Sequence, residues 1–198
     1  MRNWMVAGIL AAGLFGLGGA ASAQQAADPQ DSGEEYCIYE KLTEEYDYEI
    51  VAEAYLAGDS QDADMLAVLD KAADACAGQF GMTEEQKSIA TEIAIYGSTA
   101  DYLSDELSFA GVSDDAIDGV FSVMDEMSDE DADLIYDNEK WRDDAAMTGR
   151  LRTALVAKGV PNKDDLIMMA FEMIELSAFT VDATIEYMII ALDFEDKS

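Results

Sequence analysis

Histidine is absent from the 198-residue sequence, and proline and cysteine occur only twice each. Without histidine, the chain lacks the usual proton shuttle, the usual partner of a serine or cysteine nucleophile, and the commonest metal ligand. It also contains no nucleophile elbow, phosphate-binding loop or dinucleotide-binding fingerprint. These absences exclude most hydrolase and zinc-site arrangements. They predict a protein that is not an enzyme and has no catalytic, cofactor-binding or metal-binding residues.

Basic residues are scarce too, with 11 lysines and arginines against 43 aspartates and glutamates, and a formal net charge of −32. Nucleic acids and anionic lipids attract positive surfaces, so we expect neither as a partner. An acidic surface is compatible with cationic partners, with divalent ions or simply with solubility. Long uncharged runs are missing from the C-terminal stretch, although a bilayer crossing needs ~20 apolar residues. The mature chain is therefore predicted to have no membrane span.

The N-terminal residues show the three parts of a secretory signal peptide. Arg2 is followed by an apolar, glycine-rich run over residues 4–20 and by Ala21-Ser22-Ala23. We expect residues 1–23 to be cleaved before Gln24 and the chain to be exported to a bacterial periplasm; a retained anchor helix is the alternative. Residues 24–33 are polar and are expected to form a flexible leader, and residues 34–198 a helical domain.

The two cysteines, Cys37 and Cys76, are far apart in sequence, whereas redox-active pairs are usually closely spaced. In an oxidising compartment, a lone pair of cysteines is typical of a structural disulfide. The sequence therefore predicts one bridge, which staples an N-terminal helical hairpin. Closing a loop of this length contributes about 4 kcal/mol in the chain-entropy model.

Apolar residues recur at steps of three and four from Glu34 onward, which predicts helices separated by glycine, proline and capping residues. One helix start is marked by a capping box of Thr83 and Gln86. The segment 128–158 fits either one helix or two that are divided by a loop near Asp137. The pattern predicts an all-α fold, a single-domain irregular bundle of about six helices.

The first two predicted helices form the hairpin that carries the cysteines. The first runs without a break from Glu34 to a stop at Gly58. If the second begins at Asp62, a straight hairpin leaves Cys37 about 9 Å from the point opposite Cys76. Bridged α-carbons usually lie less than ~7 Å apart. We therefore expect a tight turn between the two helices.

Within this hairpin, Val51–Gly58 followed by Leu66–Ala73 resembles the helix-turn-helix units of tetratricopeptide and Sel1-type repeats. A solenoid requires such a unit to recur at a fixed period, and this unit does not recur downstream. The resemblance therefore implies only an ordinary helical hairpin.

The stretch 163–193 is predicted to be one long helix with two apolar seams. The first seam consists of Ile167, Phe171, Ile174, Ala178, Val181, Ile185, Met188 and Leu192. The second consists of Met169, Met173, Leu176, Thr180, Ala183, Tyr187 and Ile190. A solvated strip is left for the acids Glu172, Glu175, Asp182 and Glu186. Because a helix with two apolar faces is normally buried between neighbours, we predict that it is the centre of the bundle.

Residues 140–163 are locally basic in a chain that is otherwise acidic. In one interpretation, these cations complement a helix C-terminus and pair with acidic neighbours. In the other, Arg142, Arg150 and Arg152 face a cleft and bind an anionic ligand or a partner.

Two acidic segments, 114–125 and 129–140, partly match a calcium-binding loop. The first has Ala116 at a ligand position, and the second has Leu134 where the turn glycine belongs. Weak, nonspecific binding of divalent ions by the acidic surface is therefore expected rather than a specific site.

Taken together, these patterns predict an exported, non-enzymatic factor that binds another periplasmic protein or has a structural role. One alternative is a small-ligand carrier with a pocket beside the C-terminal helix, in which the arginine segment contacts an anion. Another is a weak binder of divalent cations. Carboxylate-pair catalysis needs only two acids at a fixed distance, but among 43 acids the sequence selects no pair. The oligomeric state is not defined by these patterns.

Overall fold

The computed structural model describes residues 33–136 and 141–195, and these ranges contain helices and no strand. The helices are α1 (Cys37–Glu45), α2 (Tyr48–Leu56), α3 (Ala63–Phe80), α4 (Glu84–Phe109), α5 (Asp114–Asp125), α6 (Asp129–Tyr136), α7 (Ala145–Ala157) and α8 (Asp164–Glu195). Two 3-10 turns, Glu34–Tyr36 and Trp141–Asp143, precede α1 and α7. The predicted all-α fold is confirmed, with eight α-helices in the described ranges instead of about six. The predicted signal peptide and residues 24–32 of the leader lie outside these ranges.

The prediction of one unbroken first helix is wrong. Tyr46 is extended, with φ −125° and ψ 173°, and Asp47 is the N-cap of a new helix, α2. The predicted disulfide is confirmed, because Cys37 and Cys76 are bridged with their α-carbons 5.9 Å apart. Since α3 still begins only after its cap at Asp62, the bend between α1 and α2, and not an early start of α3, brings the two cysteines together.

The segment 128–158 contains two α-helices, α6 and α7, on either side of the 3-10 turn at Trp141. The Ser128 side chain accepts a hydrogen bond from the Asp131 amide at the start of α6, as a capping residue does. Asp144 caps α7 and accepts hydrogen bonds from the amides of two residues in its first turn. The capping box of Thr83 and Gln86 is also present at the start of α4.

The long helices α4 and α8 pack along each other and form the axis of the fold. They are antiparallel: Leu103, late in α4, shares a core cluster with Ile174, early in α8, whereas Ile93 shares the other cluster with Tyr187. Helices α1, α2 and α3 pack against α4, and α5, α6 and α7 pack against α8. The disulfide therefore staples α1 to α3 on the α4 side of the molecule.

Burial along α8 differs between its two halves. In the first half both predicted seams are buried, as Phe171, Ile174 and Leu176 show. In the second half the second seam remains buried, with Ala183 and Tyr187 in the core. The first seam is exposed there, so the prediction that it is buried along its whole length is wrong beyond Ala178. In the described ranges, α5, α6 and α7 join the core cluster that surrounds only the first half of α8.

Helices α5 and α7 approach each other closely at two glycines. A Cβ atom added at Gly119 would lie only 2.7 Å from the Cβ of Lys158. Gly159 ends α7 with φ at 107°, a left-handed conformation that residues with a side chain rarely adopt. A Cβ at this glycine would lie 3.3 Å from the Cβ of Ala116. Both glycines therefore allow the end of α7 to lie against α5.

We expect Gly119→Ala to lower the free energy of unfolding by about 1–2 kcal/mol, measured by urea denaturation. Overpacking typically costs about 1–3 kcal/mol, and for a contact as short as this one we expect the upper part of that range, which outweighs the gain of about 1 kcal/mol in helix propensity. Gly149→Ala, in the exposed part of α7 where an added Cβ meets open space, is the control and should stabilise by up to about 1 kcal/mol. Stabilisation by both changes would contradict the close contact.

Candidate functional site

The second half of α8 presents a row of large apolar side chains to solvent. Five residues form it, and we call them the α8 strip: Val181, Ile185, Met188, Ile189 and Leu192. Their exposed fractions rise from 40% at Val181 to 66% at Leu192. Steps of three and four residues keep all five on one helix face, over about 16 Å. Single exposed apolar residues are ordinary on protein surfaces, but a contiguous row of them is not.

A pocket of about 330 Å³ opens where the strip begins, and we call it the α8 pocket. It lies between α4, α5, α8 and the start of α1. Its apolar walls include Ile93, Ala100, Phe121, Met124 and Val181. Because Val181 belongs to both the pocket and the strip, the two form one continuous apolar surface. Tyr36, Tyr39, Asp101, Ser177 and Thr180 supply its polar groups.

A carboxylate in the pocket wall is held by a tyrosine. The Tyr39 hydroxyl donates a hydrogen bond of 2.6 Å to Oδ2 of Asp101. Gly97 makes room for this pair, since a Cβ there would lie 3.0 Å from the Tyr39 ring. Burial raises the pKa of Asp101, although the tyrosine hydrogen bond opposes the shift. Burial and the neighbouring carboxylate also raise the pKa of Tyr39. In the described part of the chain, Asp101 has no lysine or arginine as a partner.

Carboxylates follow both edges of the strip. On one side, the Tyr187 hydroxyl donates a hydrogen bond of 3.0 Å to Glu34, which lies in the 3-10 turn before α1. Tyr36, in the same turn, shares a hydrogen bond of 3.2 Å with Thr184. On the other side, exposed acids each follow a strip residue by one position: Asp182 and Glu186. At ~100° per residue, these two acids lie along the edge of the strip away from Tyr187.

The predicted candidate Arg142 lies against α8. Its guanidinium donates to Glu172 at 2.6 Å and also to Glu175. The buried Trp141 donates from Nε1 to the same Glu175 at 3.1 Å, and its ring meets Phe171 edge to face at 5.5 Å. The prediction of a solvated strip is therefore wrong for Glu175, which the turn at Trp141–Asp143 covers, and Glu172 is partly covered by the same turn.

The other two candidate arginines also pair within the chain. Arg150 forms an ion pair with Asp131 of α6, and Arg152 forms one with Asp164 at 2.7 Å. Arg142 and Arg152 line one pocket of about 320 Å³ between α7 and α8, whereas Arg150 is not part of its lining. Carboxylates that pair with these two arginines outnumber them by three to two. This geometry favours internal pairing, and an anionic ligand would have to displace those carboxylates.

The two acidic segments with partial resemblance to calcium loops are helical where described, as α5 and α6. In residues 33–136 and 141–195, no three acidic or cysteine side chains come together as a group that could hold a metal ion. Nor is any helix of these ranges long and apolar enough to cross a membrane.

No family model, curated protein or solved structure matches this chain. The geometry of the α8 strip and the α8 pocket is therefore the basis for assigning a function. The sequence pattern had identified Val181, Ile185, Met188 and Leu192 as apolar helix positions, but it had placed them in the core.

Proposed function

We propose that this protein is an exported, non-enzymatic binding protein that engages a partner protein through the α8 strip. The observation that carries the proposal is the exposure of five large apolar side chains on one face of α8. Contiguous apolar surface with a polar rim is typical of interaction sites, because leaving it in water is unfavourable. The α8 pocket extends the same surface and offers a recess for an anchoring side chain.

Export to a bacterial periplasm is part of this proposal. The signal-peptide pattern of residues 1–23 supports it. The disulfide between Cys37 and Cys76 is also consistent with it, since structural disulfides persist in oxidising compartments. The absence of histidine from the whole chain supports a role in binding rather than catalysis.

A pull-down from a periplasmic extract of the source organism tests the proposal, with residues 24–198 as bait. We expect a specific protein to be captured by the wild-type chain and lost with the double variant Ile185→Ser/Met188→Ser. The matched control is Leu66→Ser/Phe80→Ser, which removes two apolar residues of similar exposure from a different helix, α3. If nothing is captured, or if the strip variant captures the same proteins, the proposal is wrong.

The second candidate function is that of a small-ligand carrier, and the α8 pocket is the observation that favours it. Its volume of about 330 Å³ lies at the lower end of the range of small-molecule sites, and its walls are mostly apolar with a few polar groups. A carrier would copurify with its ligand, and added ligand would raise its melting temperature. A partner protein bound on the strip would need no such molecule.

A further inference from the structure

We infer that the α8 strip receives a basic amphipathic helix of the partner, with apolar side chains on the strip and lysines or arginines against the carboxylates along its edges. The inference rests on the proposed function, because it specifies the chemistry of the partner that the strip binds. The spacing of the strip, the charges beside it and the carboxylate in the α8 pocket each support one part of it.

The spacing of the strip fits a helix. Val181, Ile185, Met188 and Leu192 follow each other at steps of four, three and four over three helical turns. A second helix lying along α8 can place its own apolar ridge between these side chains, as helices do in coiled coils and in grooves. A peptide that binds by strand addition would instead need the free edge of a sheet, and the described ranges contain no strand.

The charges beside the strip specify the sign of the partner. Exposed Asp182 and Glu186 follow one edge of the strip. Glu34 and its neighbour Glu35 lie on the other side, near Tyr187. Burial raises the pKa of Tyr187, and the charges of these two carboxylates raise it further. A helix with acidic flanks would meet like charges on both sides, whereas basic flanks would form ion pairs at the rim. The net charge of −32 attracts the same kind of partner over longer distances.

The α8 pocket offers one deeper position for a cation. The Asp101 carboxylate lies in a largely apolar wall and accepts the Tyr39 hydroxyl. A lysine or arginine of the docked helix can lay its aliphatic stem along Phe121 and Val181 and bring its charge to this carboxylate. Because Asp101 is partly buried, water screens the attraction within such a pair less than it screens the pairs at the rim.

Two other occupants fit the strip less well. A second copy, related by a two-fold axis, would bring the acids on the edges of one strip close to those of the other in a molecule that is already strongly acidic. The leader 24–32 offers little apolar cover for the strip, because it contains two aspartates and, apart from Pro29, no apolar side chain larger than alanine.

Three synthetic peptides of about 18 residues, or five turns, test the inference. They share one apolar helix face and carry lysine, glutamine or glutamate on the polar face. Binding to residues 24–198 is measured by fluorescence anisotropy at low and high salt. We expect the lysine peptide to bind most tightly and the glutamate peptide not to bind.

Variants of the protein separate the two parts of the interaction. Ile185→Ser/Met188→Ser should weaken binding of the lysine peptide by about 10–100-fold, whereas Leu66→Ser/Phe80→Ser should leave its binding unchanged. Asp182→Asn/Glu186→Gln should weaken it by about fivefold at low salt and by less at high salt, where charges at the rim are screened. Circular dichroism and thermal melting confirm that each variant is folded.

Each of the other possible results contradicts the inference, and each one shows which part of it is wrong. Equal binding of all three peptides that still depends on Ile185 and Met188 would leave the strip as a docking site and exclude basic-helix specificity. If the strip variant binds the lysine peptide as tightly as the wild-type protein does, the peptide is held by general attraction to an acidic protein and not by the strip. No binding of the lysine peptide, or a strip-dependent dimer in sedimentation equilibrium, would also exclude it. The proposed function fails separately, in the pull-down.

Discussion

Replacing Arg142 with methionine is expected to lower the free energy of unfolding by about 3 kcal/mol. The reason is Glu175, which is only 8% exposed and would lose the cation that pairs with its carboxylate. Removing one partner of a buried ion pair costs about 3–5 kcal/mol. Because the Arg142 side chain is 26% exposed, the pair is only partly buried, and we expect a cost at the lower end of that range. Trp141 would still donate to Glu175, but a neutral indole does not replace a guanidinium.

Urea denaturation of Arg142→Met measures this loss, with Arg150→Met as the matched control. Arg150 pairs with Asp131, but its side chain is 57% exposed and solvent screens the pair, so its removal should cost much less than the removal of Arg142. Adding Glu175→Gln to Arg142→Met should recover part of the loss, because the amide oxygen still accepts from Trp141 and carries no charge. Equal costs for the two arginine variants would show that burial of Glu175 does not control stability here.

Removing the disulfide is the second change with a large expected effect. Cys37 and Cys76 are 39 residues apart and both are buried. In the chain-entropy model, opening a loop of this length lowers the free energy of unfolding by about 4 kcal/mol. A small domain has a total stability of about 5–15 kcal/mol, so the loss would be a large share of it.

The double variant Cys37→Ala/Cys76→Ala tests this effect, and wild-type protein with and without a thiol reductant is the independent comparison. We expect both to unfold at lower urea concentration than the oxidised protein. The bridge also anchors the chain segment that carries Glu34, Tyr36 and Tyr39, which line one edge of the strip and the pocket. Binding of the lysine peptide should therefore weaken as well. An unchanged urea midpoint after reduction would contradict the prediction.

Features that depend on a few neighbouring residues were predicted well. The capping box of Thr83 and Gln86 is present, because it needs only side chains and amides within one helical turn. The pairing of Cys37 with Cys76 followed from having only two cysteines. These predictions required no knowledge of how the helices pack against each other.

Features that depend on distant contacts were predicted poorly. Along the chain, nothing distinguishes Glu175, which is buried against Trp141, from the exposed Glu186. The extended residue Tyr46 interrupts a regular apolar period, and its effect on the position of Cys37 becomes visible only when α3 is in place. In each case the outcome was decided by a neighbour from another part of the chain.

By itself, the sequence determined the helical class, the caps, the disulfide and the apolar faces of α8, because periodicity, capping and cysteine number are local or compositional properties. Only the tertiary structure decided that Ile174 is covered and that Ile185, on the same seam, is not. The physical reason is that coverage of a helix face depends on where the neighbouring helices α5, α6 and α7 end in space. The apolar period of the α8 sequence carries no information about those neighbours. The candidate binding surface arises from that difference.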